Sequence, residues 1–188
     1  MAADPSAGAA GFVRAARSAD AGLLARVQVS SWRDTLGGLV PAEVLGELSA
    51  PPAVARFGDQ WREAITSPPT SRHKVLVAYA PSGEVAGFAS LGPATDEDRW
   101  PGSDGELYEF HLAPGQADAG HGGRLLHAVA DTLADDGFAT ACAWVLADDA
   151  ARVEFLQGAG WAPDGSAGNL DMGVKVPVVR LHTRLAAQ

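Results

Sequence analysis

Gly105 to Leu133 read GELYEFHLAPGQADAGHGGRLLHAVADTL. Glu106 to Leu112 predict a strand, and period-two alternation puts Glu106, Tyr108, Phe110 and Leu112 on one face, with Glu109 and His111 on the other. Ala113-Pro114 break the strand. Gly120-His121-Gly122-Gly123 form a turn, and the helix that follows has Leu125, Leu126, Val129 and Leu133 as its apolar face. A strand that enters a helix through glycines offers unpaired backbone N–H groups and the positive helix end to an anion, usually a phosphate. Glycines let the backbone approach such a ligand and adopt angles closed to other residues.

Two common phosphate-binding patterns are absent. No Gly-Lys-Ser/Thr follows the glycines, which excludes the usual nucleotide P-loop. The dinucleotide fingerprint needs its glycines within a few residues of the strand, whereas seven residues separate Leu112 from Gly120.

Working outward, Phe12 to Ala15 predict a first short strand. Ser18 is placed to cap a helix over Ala19 to Arg33, patterned by Leu23, Leu24, Val27 and Val29. Gly37-Gly38 end it, Pro41 to Leu48 form a second helix, and Ala53 to Thr66 a third, with Val54, Phe57, Trp61 and Ile65 three or four apart. Lys74 to Ala80 and Glu84 to Leu91 flank the Pro81-Ser82-Gly83 turn as a hairpin. Gly92 to Asp104 are read as a mobile loop. Beyond the central helix, Ala139 to Leu146 predict a buried strand. Asp148 or Asp149 caps a short helix carrying Ala151, Phe155 and Leu156. The chain from Trp161 is read as irregular, with Gly165 to Gly168 a loop, and Val174 to Val176 and Val178 to Leu185 as two closing strands split by Pro177. The order predicts a mixed sheet with helices packed on it, α/β or α+β in class.

At 188 residues the chain is one domain by length, and residues 1–11 read as a flexible tail before a single domain over 12–188. That tail has neither the basic start nor the apolar block of an export signal. No apolar run reaches the roughly 20 residues of a membrane span. A single cysteine, Cys142, excludes an internal disulfide and points to a reducing, cytoplasmic setting. The formal net charge of −9 argues against nucleic acid or an anionic membrane as partner. His73, His127, His182 and Cys142 show no metal-ligand spacing, so no metal is expected.

The glycine segment resembles the pyrophosphate loop of the GNAT family of acetyl-CoA-dependent N-acetyltransferases. Leu112, Pro114, Gly120, Gly122, Leu125 and Leu126 fall at the family spacing without a gap. Ala117, with Asp118 beside it, takes the place where Arg or Gln is usual. The likeness extends over residues 12–185. Glu106-Leu107-Tyr108 resembles the family's Glu-Leu-Tyr. Trp144 to Asp149, with Phe155 and Gly160-Trp161, resembles its Trp-Val-Leu-x-x-Asn…Phe-Tyr…Gly-Phe block. Ser31-Trp32-Arg33 with Gly38 and Pro41 resembles the segment that shapes the acceptor site.

The resemblance implies a mostly antiparallel twisted sheet of about six to seven strands, splayed in a V between its two central strands and flanked by about four to five helices. It implies acetyl-CoA as acyl donor, attacked directly by a primary amine of a small molecule or peptide. The phosphates would rest on Gly120, His121, Gly122 and Gly123. The pantetheine arm would run between Tyr108–Leu112 and Trp144–Leu146, with Leu112 and Asp149 beside it. Arg124, in the helix's first turn, is placed to reach a phosphate or simply to be solvated. Glu106 reads either as the base that takes the amine's proton or as a surface carboxylate. Tyr108 reads as a proton donor or as packing, and Trp32 and Trp100 as walls of an acceptor pocket. Glu109 and His111, on the opposite face, read as structural, either one placed to pair with a helix residue rather than to move a proton. Leu156 stands where a family tyrosine protonates the leaving thiolate, and Asp149 stands for an asparagine. A module that binds acetyl-CoA or another acyl-CoA with weak or lost catalysis is therefore the alternative. The unidentified amine aside, a homodimer is the partner the family suggests.

Overall fold

The computed structural model describes residues 11–116 and 119–186. They form seven strands and five helices: β1 (Phe12–Ala15), α1 (Ala21–Leu36), α2 (Ala42–Ser49), α3 (Pro51–Thr66), β2 (Lys74–Tyr79), β3 (Val85–Pro93), β4 (Asp104–Leu112), α4 (His121–Asp135), β5 (Thr140–Leu146), α5 (Ala150–Gly158), β6 (Ala162–Asp171) and β7 (Lys175–Arg184). The strands make one sheet in the order β1-β2-β3-β4-β5-β7-β6. Every neighbouring pair is antiparallel except β4 with β5.

Helices cover both faces. Leu125, Leu126, Val129 and Leu133 of α4 are buried with Leu107, Phe110, Leu156 and Leu181. Each such side chain contributes about 1.5–3 kcal/mol by leaving water. On the other face, Leu24, Ala25 and Val27 of α1 and Trp61 of α3 pack on Val75, Val77 and Phe88. Trp61 Nε1 donates to buried Gln28, so its polar end is satisfied.

The structure moves several expected boundaries. Ser18 opens a short 3-10 turn rather than capping α1, and α1 runs on to Leu36. Pro51 and Pro52 occupy the first turn of α3, where a missing N–H costs nothing. Gly11, assigned to the tail by its composition, is buried, and a Cβ there would lie 2.3 Å from the Tyr79 carbonyl oxygen; residues 1–10 lie outside the described residues. The expected Gly165–Gly168 loop is part of β6. Between the pairs Pro163–Leu181 and Ala167–Val179 the β6 strand carries extra residues, a bulge in which Gly165 has φ +90°. Pro177 does not split β7. Its carbonyl accepts from Ala147 N on the β5 side, just past the last β5 pair, Leu146–Val178, so the missing N–H falls where no ladder bond is due.

Two carboxylates are held well below their ordinary range. The Arg14 guanidinium, donating to both Asp20 oxygens, holds Asp20 at about 2 against the opposing effect of burial, helped by Arg17 N–H and the Tyr79 hydroxyl. Burial pushes Asp164 upward, but hydrogen bonds from Ser166 and Arg180 outweigh it and bring it to about 2. A depressed carboxylate stabilises the fold above its unfolded pKa, near 3.9, and loses that contribution as pH falls through the folded value. Unfolding followed by circular dichroism should therefore show stability constant above about pH 5 and falling steadily between about pH 4 and 2. Asp20→Asn and Asp164→Asn should each flatten that slope.

Candidate active site

The parallel pairing of β4 with β5 runs from Asp104–Thr140 to Leu107–Ala143 and stops there. Past it, Tyr108 to Leu112 and Trp144 to Leu146 part, because β4 stays on β3 while β5 follows β7. A cavity of about 410 Å³ occupies the gap, within the usual range for small-molecule sites. It passes through the sheet. One end is walled by α5 through Asp149, Arg152 and Leu156, the other by α1 through Ser31, Trp32 and Thr35 and by the end of β6 through Asp171.

A bulge decides which β4 side chains face which end. Ser90 pairs with Glu109 but Leu91 with Leu107, so Tyr108 is an extra residue on β4. Leu107 and Phe110, three apart, consequently share the α4 face, while His111 packs with Phe88 and Trp32 on the α1 face. This corrects the alternation expected across Glu106–Leu112: Glu106 lies opposite Phe110 and Leu112. Glu106 is 6% exposed, and its Oε2 accepts from Thr95 N (2.9 Å) and Thr95 Oγ1 (2.8 Å). It does not line the cavity. Tyr108 does, but its hydroxyl donates to the Pro93 carbonyl at 2.5 Å. Burial, then the Glu106 charge, pushes its pKa up, which makes it a hydrogen-bond donor and a poor proton donor.

At the far end of β4 the glycine turn meets α4. Gly120 is the N-cap with φ +73°, a left-handed conformation that glycine supplies without strain. Backbone N–H groups of the first turn, His121 to Gly123, precede Arg124 N, the first donor along the helix, which bonds to the Gly120 carbonyl, and have no partner within the helix. Space is unequal around the glycines. A Cβ on Gly122 would sit 3.2 Å from Leu112 Cδ1 and close to Phe155, so this glycine packs the helix onto β4. Gly120 and Gly123 face open space. The ring of His121 is 5% exposed rather than solvent-facing, and Arg124 Nη1 donates to its Nδ1 at 3.0 Å. Ala117 and Asp118 lie outside the described residues.

On α5, Asp149 is the N-cap and accepts from Arg152 N at 3.0 Å. Arg152 reaches across the parted strands and donates from Nη1 to the Phe110 carbonyl at 2.5 Å. Burial pulls its pKa down, with Asp149 and Glu109 opposing. Sequence reasoning missed Arg152, since nothing in Ala151-Arg152-Val153 marks a solvated helix arginine from one turned inward. Trp32 lines the cavity; Trp100 does not. A tight turn, closed by Ser103 and Asp104 N–H groups on its carbonyl, holds Trp100 at the surface, 71% exposed. Cys142 is buried and its thiol pushed up to about 12, first by burial and then by Glu106, so it is no nucleophile at neutral pH. Among the described residues no group of three or more His, Cys, Asp or Glu is placed to hold a metal, and no helix is long and apolar enough to cross a membrane.

The expected Gly92–Asp104 loop is shorter, since Gly92 and Pro93 end β3 and Asp104 opens β4, and the residues between, Ala94 to Ser103, are tied to the sheet beside this cavity. Arg180 on β7 donates to Asp96 (2.7 Å), Asp98 (2.5 Å), Asp164 (2.8 Å) and Ser166 (2.7 Å), and Arg99 also donates to Asp164. Trp144 Nε1 donates to Asp96 as well.

Comparison with known proteins agrees with this geometry. The model of the acetyltransferase (GNAT) family matches residues 43–161. The uncharacterized N-acetyltransferase YuaI of Bacillus subtilis is 35% identical over 134 residues, which is 71% of this chain and 70% of that protein. Among solved structures, the PaiA N-acetyltransferase of Thermoplasma acidophilum in complex with coenzyme A superposes with a TM-score of 0.68 at 16% identity, over 93% of this chain and 99% of that one. YncA of Salmonella typhimurium with acetyl-CoA gives 0.64 at 18% identity, over 95% and 96%. At such identities the two structures speak for the fold.

Proposed function

The chain belongs to the GNAT acetyltransferase family and is an N-acetyltransferase of that type, and from this premise we propose that it moves acetyl from acetyl-CoA to a primary amine of a small molecule or peptide. The observation that carries the reading is the parting of β4 from β5 after Leu107–Ala143, beside the glycine-capped N-terminus of α4. The N–H groups of His121, Gly122 and Gly123, unpaired among the described residues, and the positive helix end suit a diphosphate. Arg124 adds charge at the same turn. The unpaired β4 edge offers the Phe110 carbonyl to an amide of the pantetheine arm, with Leu112 and Asp149 flanking its path. Arg152 holds that carbonyl in the free protein, so it releases it when the arm enters.

Acetyl-CoA supplies an activated thioester. The acceptor, an ammonium ion in water, gives up one proton and as the neutral amine attacks the carbonyl carbon; the C–N bond forms and the C–S bond breaks. The second amine proton goes to the departing thiolate, directly or through water, which leaves amide and free thiol. Backbone N–H groups on the β4 bulge are suited to the oxygen's developing charge. Because the donor and acceptor enter from opposite faces of the sheet, both substrates fit at once and transfer is direct.

One observation favours the alternative, an acyl-CoA-binding module with weak turnover. Leu156, fully buried and lining the cavity, brings no proton donor to the leaving sulphur. Losing a general acid costs roughly 10²–10⁴ in rate and spares binding. Calorimetry with coenzyme A and a thiol-release assay over a panel of primary amines separate the two. Binding with amine-dependent release is expected; binding without release supports the module, and no heat of binding overturns both.

A further inference from the structure

The acceptor end of the cavity contains a pair that the family likeness does not assign. His111 Nε2 and Glu109 Oε2 are 2.5 Å apart, and both residues line the cavity on the α1 side. The His111 ring is 6% exposed, edge-on to Trp32 at 6.3 Å and tilted on Phe88 at 5.1 Å. Its Nδ1 is buried without a hydrogen-bond partner. A protonated ring would bury an N–H there with nothing to accept it, at the full cost of desolvating that donor. The arrangement therefore fits a neutral ring whose Nε2–H donates to Glu109, which leaves Glu109 a carboxylate held in one orientation. One of its oxygens is committed to His111. Among the described residues no donor holds the other, and 34% of the side chain is open.

Other charges facing this pair are few. From α5, Arg152 lies behind Phe110 and stands close enough for Glu109 to act on it. From β6, Asp171 borders the same end. The α1 wall contributes only Ser31 and Thr35 as polar groups, with Trp32 between them. A carboxylate with one free oxygen, a second carboxylate on the same cavity wall and an indole lining it form a pocket for an ammonium group on an apolar body. Glu106 offers no such access, since Thr95 covers it and it lies outside the cavity.

We propose that Glu109, held by His111, receives the acceptor's ammonium group and takes its first proton, so that the substrate is a primary amine arriving as a cation. Glu109 is then the catalytic residue and His111 a positioning residue. The proton passes from the ammonium nitrogen to a Glu109 oxygen and on to water, and the freed lone pair attacks the thioester as above. This rests on the acetyl-transfer reading and names the class of acceptor for it.

The test is a thiol-release assay with acetyl-CoA and a panel of an alkyl diamine, an arylalkylamine, an amino acid and a short peptide. Glu109→Gln should lower kcat/KM for the best amine by about 100-fold or more at pH 7. That loss should shrink as pH rises toward the amine's own pKa, where the free amine no longer needs a base. His111→Gln, which keeps a donor near Nε2, should lose less than His111→Phe. Calorimetric affinity for coenzyme A should stay within about twofold in every variant, which also certifies folding. Loss of equal size at all pH values, or a pH-dependent loss in Glu106→Gln and not in Glu109→Gln, overturns the proposal. So does a panel in which no cationic amine is used although coenzyme A binds. Failure of the wild-type chain to bind coenzyme A instead overturns the acetyl-transfer reading beneath it.

Discussion

Gly123→Glu should bind coenzyme A on the order of 100-fold more weakly than the wild-type chain while unfolding no more easily. The three glycines of the turn differ in what a substitution reports. At Gly120 the left-handed backbone strains any side chain, and at Gly122 a Cβ meets Leu112 and Phe155, so either change disturbs the fold itself. Gly123 has helical backbone, open space and exposure to solvent. Replacing glycine inside a helix gains up to about 1 kcal/mol, and an acid in the first turn adds about 0.3–1 kcal/mol. The same charge opposes a diphosphate at the helix end. At about 5 Å and an effective dielectric near 20, that repulsion is about 3 kcal/mol, the basis of the 100-fold figure. Calorimetry for affinity and thermal unfolding for stability check the two halves separately. Unchanged affinity with unchanged stability would place the phosphates elsewhere.

Affinity and stability moving in opposite directions would reflect how this site is made. The part proposed to hold the phosphates is local: strand end, glycines and helix start follow one another within residues 112–126, and the sequence alone shows each. Local signals also predict the hairpin at Pro81-Ser82-Gly83 and the amphipathic helices. What stays hidden depends on partners far along the chain. The β4 bulge is a mismatch with β3, and it moves Glu106 away from the face that alternation assigns to it. Asp164-Gly165-Ser166 has turn composition, yet the segment bulges within an edge strand because Arg180 of β7 gathers its side chains. Arg152 and the Glu109–His111 pair become site residues only once α5 and α1 close on the parted strands. Trp100 shows the converse, an aromatic in a polar loop that composition offers to the acceptor and geometry keeps at the surface.

Arg180→Met should destabilise the protein by about 3–5 kcal/mol, the usual cost of removing one partner of a buried ion pair. Arg180 is 3% exposed, and its side chain satisfies Asp96, Asp98, Asp164 and Ser166 at once. Asp98 is largely in water and would simply solvate. Asp164, with 11% of its side chain exposed, would keep Arg99 and the Ser166 N–H, and Asp96 would keep only the Trp144 indole N–H. For a domain of this length a loss of about 3 kcal/mol lowers Tm by roughly 6–12 °C. Arg180→Met with Asp164→Asn should recover part of that loss, because the double change removes the stranded charge together with its partner. The same cluster anchors the Ala94–Ser103 loop and, through Asp96, the Trp144 ring that walls the cavity. The single variant should therefore also weaken coenzyme A binding, in proportion to how far β5 relaxes toward β4. A variant that melts early but binds with full affinity would show that the parting of the strands is fixed by the pairing of β4 with β3 and of β5 with β7 alone.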